Sequence, residues 1–292
     1  MPLKKRPLIR SPGPIKKTVI LLSVSSDIGA HLARKYLRRG FTVVGTYRTK
    51  AHVRDLQGLP DCLLFKCDLG KRTDVDRFIR QVKNKKLAWD VLISCVGHPL
   101  PVIPFFDCDF DEWKGSVGVN AIEQLRALHM LHPYRNRRKA DVVFFAGGGM
   151  NGSVVNFSAY TISKIMLAKM CEFLDAENKD LNVFIVGPGW TRTKIHKTIL
   201  SDKRTAKFKV LETRDFLKNK NGTSLDDIYE CVDWLCEQGK PVAGGRNFSV
   251  VYDPWREGKR EKLKKALKTD PNMYKLRRNK NSFGQPMERR YG

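Results

Sequence analysis

No stretch of this 292-residue chain approaches the roughly 18 to 20 apolar residues that a membrane-crossing helix needs. The first seventeen residues, MPLKKRPLIRSPGPIKK, are basic and have no apolar h-region, so they do not read as a secretory leader. The seven cysteines (Cys62, Cys67, Cys95, Cys108, Cys171, Cys231, Cys236) are odd in number and include no C-x-x-C pair. Most lie inside apolar runs such as VLISCVG, which excludes a zinc ribbon or disulfide scaffold and leaves each thiol as a small hydrophobe. The histidines, including His98, His129 and His132, lack metal-ligand spacing, and no metal site is expected; His98, just after the SCVG turn, is placed to touch a substrate. The acidic cluster DCDFDEW (107–113) lacks the glycine and terminal glutamate of a calcium loop. Asp109 therefore reads as a helix cap, with Asp111 and Glu112 in the first turn. Also missing is the G-x-G-x-x-G dinucleotide fingerprint. Together these absences point to a reduced, cytoplasmic chain with no metal and no membrane partner.

Acid is scarce: 30 Asp and Glu stand against 55 Lys and Arg, a net charge of +25. The excess is uneven, with +6 in residues 1–17 and +9 in residues 254–292. Charge gathered at the ends of a chain keeps tails solvated, a reading favoured here over a nucleic-acid site. The expected organisation is a flexible basic tail (1–17), one domain (18–253) and a basic C-terminal extension (254–292).

Within 18–253 short apolar runs alternate with segments of helical spacing. TVILLSV (18–24), FTVVGTY (41–47), CLLFKCDL (62–69) and WDVLISCVG (89–97) read as strands; IGAHLARKYLRRG (28–40) and TDVDRFIRQVKNKK (73–86) read as helices. The second half repeats the pattern: one long helix DEWKGSVGVNAIEQLRALHMLH, then ADVVFFAGG, SAYTISKIMLAKMCEFLDAEN, LNVFIVGPG, SLDDIYECVDWLCEQ and NFSVVYD. Near-continuous apolar strands separated by helices predict an α/β, three-layer, doubly wound parallel sheet, the Rossmann fold, in a single domain. Ligands of such sheets bind beyond the carboxyl ends of the strands. The turns SVSSDIG, TYRTK, CDLG, CVGHP, AGGGMNG and GPGWTRT are thus the candidate site, and residues 190–221 are too long for a plain connection and read as a substrate-covering segment.

The turn SVSSDIG (23–29) joins a strand to a helix N-terminus, where free N–H groups favour a phosphate. Tyr160 and Lys164 lie one helical turn apart behind AGGG. These motifs, in their order, resemble the short-chain dehydrogenase/reductase family. Leu22, Ser23, Asp27 and Ile28-Gly29 occupy the positions of its T-G-x-x-x-G-I-G turn, in which Ser25 and Ser26 also sit, and only Gly29 of the glycines is kept. Asp68-Leu69 matches its D-[VL], and Ser94–Gly97 stands in place of N-N-A-G with Gly97 retained. Asn120 matches the asparagine of its central helix, Tyr160 and Lys164 its Y-x-x-x-K, and Pro188-Gly189 with Thr193 its P-G-x-x-x-T.

The resemblance implies hydride transfer between a nicotinamide and a carbonyl or secondary alcohol, with Tyr160 as acid/base, Lys164 favouring its ionised form and Asn120 supporting a proton relay. It implies cofactor contacts from Ser23, Ser25, Ser26, Ile28, Gly29, Asp68, Leu69, Gly97, Tyr160, Lys164, Pro188, Gly189 and Thr193, and a homodimer or homotetramer. At the end of the second strand, GTYRTK offers Arg48 and no carboxylate, so NADP(H) is preferred and NAD(H) is the alternative. An anionic small-molecule substrate such as a nucleotide-activated sugar suits the basic surface. Two departures stand out. The family's serine position is Gly147, leaving a backbone N–H or Ser153 to hold the substrate oxygen, and Asp27 replaces a glycine near the diphosphate. The alternative functions are a noncatalytic dinucleotide-binding relative, as sensor or scaffold, and a basic anion- or RNA-associated protein.

Overall fold

Each strand of the sheet is a short run of Val, Ile, Leu and Phe, and alternate residues of one strand serve different layers. In β1 (Thr18–Leu22), Val19 and Leu21 pack into one core while Ile20 and Leu22 pack into the other. That two-sided burial is why the runs are continuously apolar rather than alternating. A computed structural model describes residues 16–277 apart from Asn151 and Lys220.

The remaining strands are β2 (Thr42–Tyr47), β3 (Cys62–Lys66), β4 (Val91–Ser94), β5 (Ala140–Phe145), β6 (Leu181–Gly187) and β7 (Asn247–Ser249). They form one seven-stranded, all-parallel sheet in the order β3-β2-β1-β4-β5-β6-β7. The helices are α1 (Asp27–Arg38), α2 (Arg72–Asn84), α3 (Phe110–Val117), α4 (Glu123–Leu131), α5 (Ser158–Glu177), α6 (Lys194–Ser201), α7 (Lys207–Lys218), α8 (Leu225–Gln238), α9 (Lys240–Ala243) and α10 (Arg260–Thr269). Helices α1, α8, α9 and α10 cover one face of the sheet; α2, α4 and α5 cover the other. This is the expected doubly wound α/β fold in a single domain. Strand order reverses between β1 and β4, and the crevice at such a switch point is where these folds bind ligands.

Two elements differ from the sequence reading. The long helix expected over 111–132 is divided: α3 and α4 are joined by a π turn at Gly118–Ile122. The extra residue lets Asn120 turn its side chain onto the His98 backbone, whose N–H it accepts and whose carbonyl it donates to, both at 2.8 Å. Residues 254–277, read as a charged extension, pack into the domain. Trp255 is fully buried, Leu263 and Leu267 face the core four residues apart, and the Arg246 guanidinium donates to Leu267 O (2.7 Å) and Met273 O (3.1 Å). The lysines of α10 lie on its outer side, so composition hid an amphipathic helix. The tail through residue 15 and residues 278–292 lie outside the described residues.

A candidate active site at the carboxyl edge of the sheet

The residue after β1, Ser23, adopts φ +63°, which lets the chain turn sharply into α1 where the resembling turn has a glycine. Ser23 N–H is anchored on Thr46 Oγ1 at 2.9 Å, and Ser26 Oγ accepts the Gly29 N–H at 3.0 Å as the N-cap of α1. A Cβ on Gly29 would stand 2.5 Å from Ser23 O and 3.0 Å from Val24 Cα, so helix and turn pack only because that residue has no side chain. Gly29 is buried by this contact and shapes the site without lining it.

Beyond the turn opens a cleft of about 1600 Å³. From the sequence-predicted set it is lined by Ser23, Ser25, Ser26, Ile28, Arg48, Gly97, Tyr160, Lys164, Pro188, Gly189 and Thr193. These come from the ends of β1, β2, β4 and β6 and from α5. Gly189 holds φ +73°, and a Cβ there would lie 2.5 Å from Val251 Cγ2, so this turn admits only glycine.

Asp68, Leu69 and Asn120 are outside the cleft lining. Asp68 follows β3, the edge strand farthest from the switch point on that side, and its Oδ1 accepts the Gly70 N–H at 3.1 Å. Leu69 is buried in the core between sheet and α2. Asn120 is fully buried; besides His98 its amide donates to Ser116 Oγ at 3.2 Å, and its main-chain carbonyl accepts Gln124 Nε2 at 2.6 Å. Those bonds tie Asn120 to the His98 turn at the cleft rim.

On the cleft floor, Lys164 is 1% exposed and donates to Val96 O at 3.0 Å, with its ammonium 5.5 Å from the Tyr160 ring centroid. Burial pushes Lys164 down to about 7 and Tyr160 up to about 12. Desolvation of the phenolate is what acts on Tyr160 here. The Tyr160 ring lies against Gly147: a Cβ at 147 would overlap Cε1 and stand 2.9 Å from Cζ. At its far end the ring faces the Gly97 turn, where a Cβ would be 4.0 Å from the phenolic oxygen. Gly147, Gly148, Gly149 and Ser153 line the adjoining wall.

The covering segment adds side chains that sequence reasoning did not assign. Trp190 stacks on His196, ring centroids 5.7 Å apart, and the Lys209 ammonium sits 4.8 Å over the Trp190 ring while bonding Glu212 at 2.7 Å. Lys194 reaches the SVSSDIG turn and donates to Ser25 O at 3.0 Å. Cys95, read as a plain hydrophobe, also lines the cleft, its thiol raised to about 12 by burial. His98 lines it too, held below its ordinary value by burial and by the Arg48 guanidinium. The signal available for these residues was position: each follows a strand end or sits in the long 190–221 insertion.

A family profile described as "Enoyl-(Acyl carrier protein) reductase" matches residues 23–250, from the helix-capped turn to the end of the sheet. The chain belongs to the short-chain dehydrogenase/reductase family. Among curated members, it is 29% identical over 184 residues to "11-beta-hydroxysteroid dehydrogenase-like 4A" of Arabidopsis thaliana, matching 59% of this chain and 60% of that protein. "Serine 3-dehydrogenase" of Agrobacterium fabrum is 21% identical over 231 residues, covering 77% of this chain and 90% of the relative. Among solved structures, a short chain dehydrogenase/reductase of Saccharomyces cerevisiae superposes with TM-score 0.73 at 19% identity, covering 82% of this chain and 97% of that one. A 4-hydroxyisoleucine dehydrogenase complexed with NADH gives TM-score 0.67 at 19% identity over 80% of this chain and 96% of its own. At such identities the two superpositions speak to the fold, and they place this short-chain dehydrogenase/reductase among proteins with the same sheet. No helix among the described residues is long and apolar enough to cross a membrane.

Proposed function

We propose that the protein is an NADP(H)-dependent oxidoreductase interconverting a carbonyl and a secondary alcohol, with Tyr160 as the proton donor and acceptor. The observation that carries this reading is the pairing of a half-buried Tyr160 with a buried Lys164, one helical turn apart on the floor of a cleft that opens over the α1 N-terminus. The donor set suits a dinucleotide. The α1 N-terminus with Ser25 and Ser26 offers N–H and O–H groups to a diphosphate, the Lys164 ammonium to ribose hydroxyls, and Arg48 to a 2′-phosphate. At about 1600 Å³ the cleft exceeds the roughly 300–1,000 Å³ of ordinary ligand pockets, which leaves room for a substrate beside the cofactor.

A bound nicotinamide would supply hydride-transfer chemistry at the substrate carbon. The chain's own groups handle the proton. Burial keeps the Tyr160 phenol protonated at neutral pH, so it is the acid that protonates the nascent alkoxide in the reducing direction. The resulting phenolate then lies beside Lys164, whose ammonium form offsets its charge. Trp190, Phe157 and Met150 wall the cleft with apolar surface that excludes water from this exchange. With glycine at 147, the task of polarising the carbonyl falls to the Gly147–Gly149 backbone or to Ser153. Asn120 holds the His98 loop that closes the cleft. Lys209 and Arg256 on the cleft wall are ion-paired with Glu212 and Asp227, so the reading of an anionic substrate rests on the basic composition of the chain; a homodimer or homotetramer in a reducing cytoplasm completes the reading.

The test is NADPH consumption against a panel of ketones and oxo-acids. Tyr160→Phe is expected to lower turnover by about 10³-fold or more while leaving NADPH binding within a few-fold of the parent. Unchanged turnover would refute the role of Tyr160. The packing of the Tyr160 ring into the space of a serine side chain favours one other reading, a noncatalytic dinucleotide sensor. It predicts NADPH binding with no turnover on any member of the panel.

A further inference from the structure

A carboxylate is an unexpected neighbour for a diphosphate, and Asp27 stands at the first position of α1, where a diphosphate on that helix would sit. Its side chain is not turned back onto its own helix. Oδ2 accepts the main-chain N–H of Lys194 at 2.6 Å, and the Lys194 ammonium lies 3.7 Å from Oδ1. The same ammonium donates to the Ser25 carbonyl at 3.0 Å, so it stands directly over the turn. Lys194 opens α6, and Thr193, the N-cap residue, makes no side-chain cap bond. Asp27 thus caps α6 from a different helix, across 167 residues of sequence.

We infer that Lys194 is a ligand of the cofactor's diphosphate, and that Asp27 is the carboxylate that holds it in position. An ammonium has three donors; Ser25 O and Asp27 take two directions, and Lys194 lines the cleft beside Ser25 and Ser26. Unpaired, Asp27 would repel a group bearing two negative charges. Paired, its charge is offset by the Lys194 ammonium, whose remaining N–H still points a donor at that group. Capping by Asp27 also fastens α6 to the turn, so the position of the covering segment, with Trp190 and His196, is tied to the diphosphate site. The inference rests on the dinucleotide reading above and adds a residue to it.

The full-length protein is titrated with NADPH by tryptophan fluorescence, and separately with adenosine 2′-phosphate, which carries the 2′-phosphate but no diphosphate. Lys194→Met is expected to weaken NADPH binding by about tenfold or more, with a shallower salt dependence, and to leave adenosine 2′-phosphate affinity unchanged. Lys194→Arg keeps the charge and is expected to bind NADPH within about threefold of the parent. Asp27→Asn keeps the cap acceptor but removes the ion pair that positions the ammonium, and is expected to weaken NADPH binding by less than Lys194→Met does; a loss as large as that of Lys194→Met would mean that Asp27 acts on the fold of the turn and not through the lysine. Equal NADPH binding by Lys194→Met overturns the inference, as does a parallel loss for both ligands, which would mean that the lysine only shapes the cleft. If the parent protein binds neither ligand, it is the dinucleotide reading itself that fails.

Discussion

A serine at position 147 needs room for a Cβ, and the Tyr160 ring already fills that room. Restoring the serine of the family pattern is therefore not a repair in this chain. Gly147→Ser is expected to push Tyr160 off its packing against Phe157, whose ring centroid is 5.0 Å away, lowering the melting temperature and reducing any turnover by about tenfold or more. A gain in turnover on substitution would show that the phenol has a second, better seat. Lys164 presents a different kind of compromise. Burial holds it near 7, whereas in an unfolded chain it titrates near 10.4, so between about pH 7 and about pH 10 the unfolded chain binds a proton that the folded one does not. Stability contributed at this site thus rises with pH through that window and is lowest at and below neutrality. Lys164→Met is expected to melt above the parent at pH 7, with the gap closing toward pH 10 as read by scanning calorimetry. A gap that does not change with pH would mean that the ammonium is not the source of the penalty.

Elements were readable wherever local pattern and tertiary role coincide. β1, β2, β4, β5 and β6 are apolar because both faces are covered, and their order along the chain was visible as runs separated by helical spacing. The helices α1, α2, α5 and α8 were visible for the same reason. What failed to show depends on partners distant in sequence. The π turn between α3 and α4 keeps helical spacing on either side and is set by Asn120 reaching His98, 22 residues away. The place of β3 at the sheet edge is likewise a fact of strand order and not of composition. The covering segment was legible as an insertion and opaque as a binding surface, because Lys194, Trp190 and Lys209 acquire meaning only from what they face: Asp27, His196 and Glu212. The strand-end motifs were the most legible part of the site, since a turn after a strand in a parallel sheet has one place to go.

At the scale of the whole molecule, charge and packing have to be separated. A net charge of +25 suggests tails held in water, but residues 254–277 contribute buried surface to the sheet layer that carries α1 and α8. Trp255 donates its indole N–H to Val250 O at 2.9 Å, and the Asn247 N–H of β7 is bonded to Tyr274 O at 2.8 Å, so the last strand is braced by chain that follows it. Arg246, 5% exposed, spends its guanidinium on the carbonyls that end α10 and the turn beyond it. Removing everything after Asp253 would uncover Trp255's site, strip Leu263 and Leu267 from the core and leave the buried Arg246 with only the Val242 and Pro241 carbonyls as acceptors, the bonds to Leu267, Asp270 and Met273 being lost. Loss of each large apolar side chain costs about 2–5 kcal/mol, comparable in sum to the roughly 5–15 kcal/mol that holds a typical domain together. A chain ending at Asp253 is therefore expected to be unfolded or aggregated, and to give no cooperative melt. A chain ending at Arg277 keeps these contacts and is expected to fold. Were the shorter chain to melt cooperatively at the full-length temperature, α10 would be an accessory rather than part of the core. The contrast also governs any test of the basic segments for anion or RNA binding: it has to be made by neutralising the outward lysines of α10, such as Lys262 and Lys265, because deleting the helix would remove the fold along with the charge.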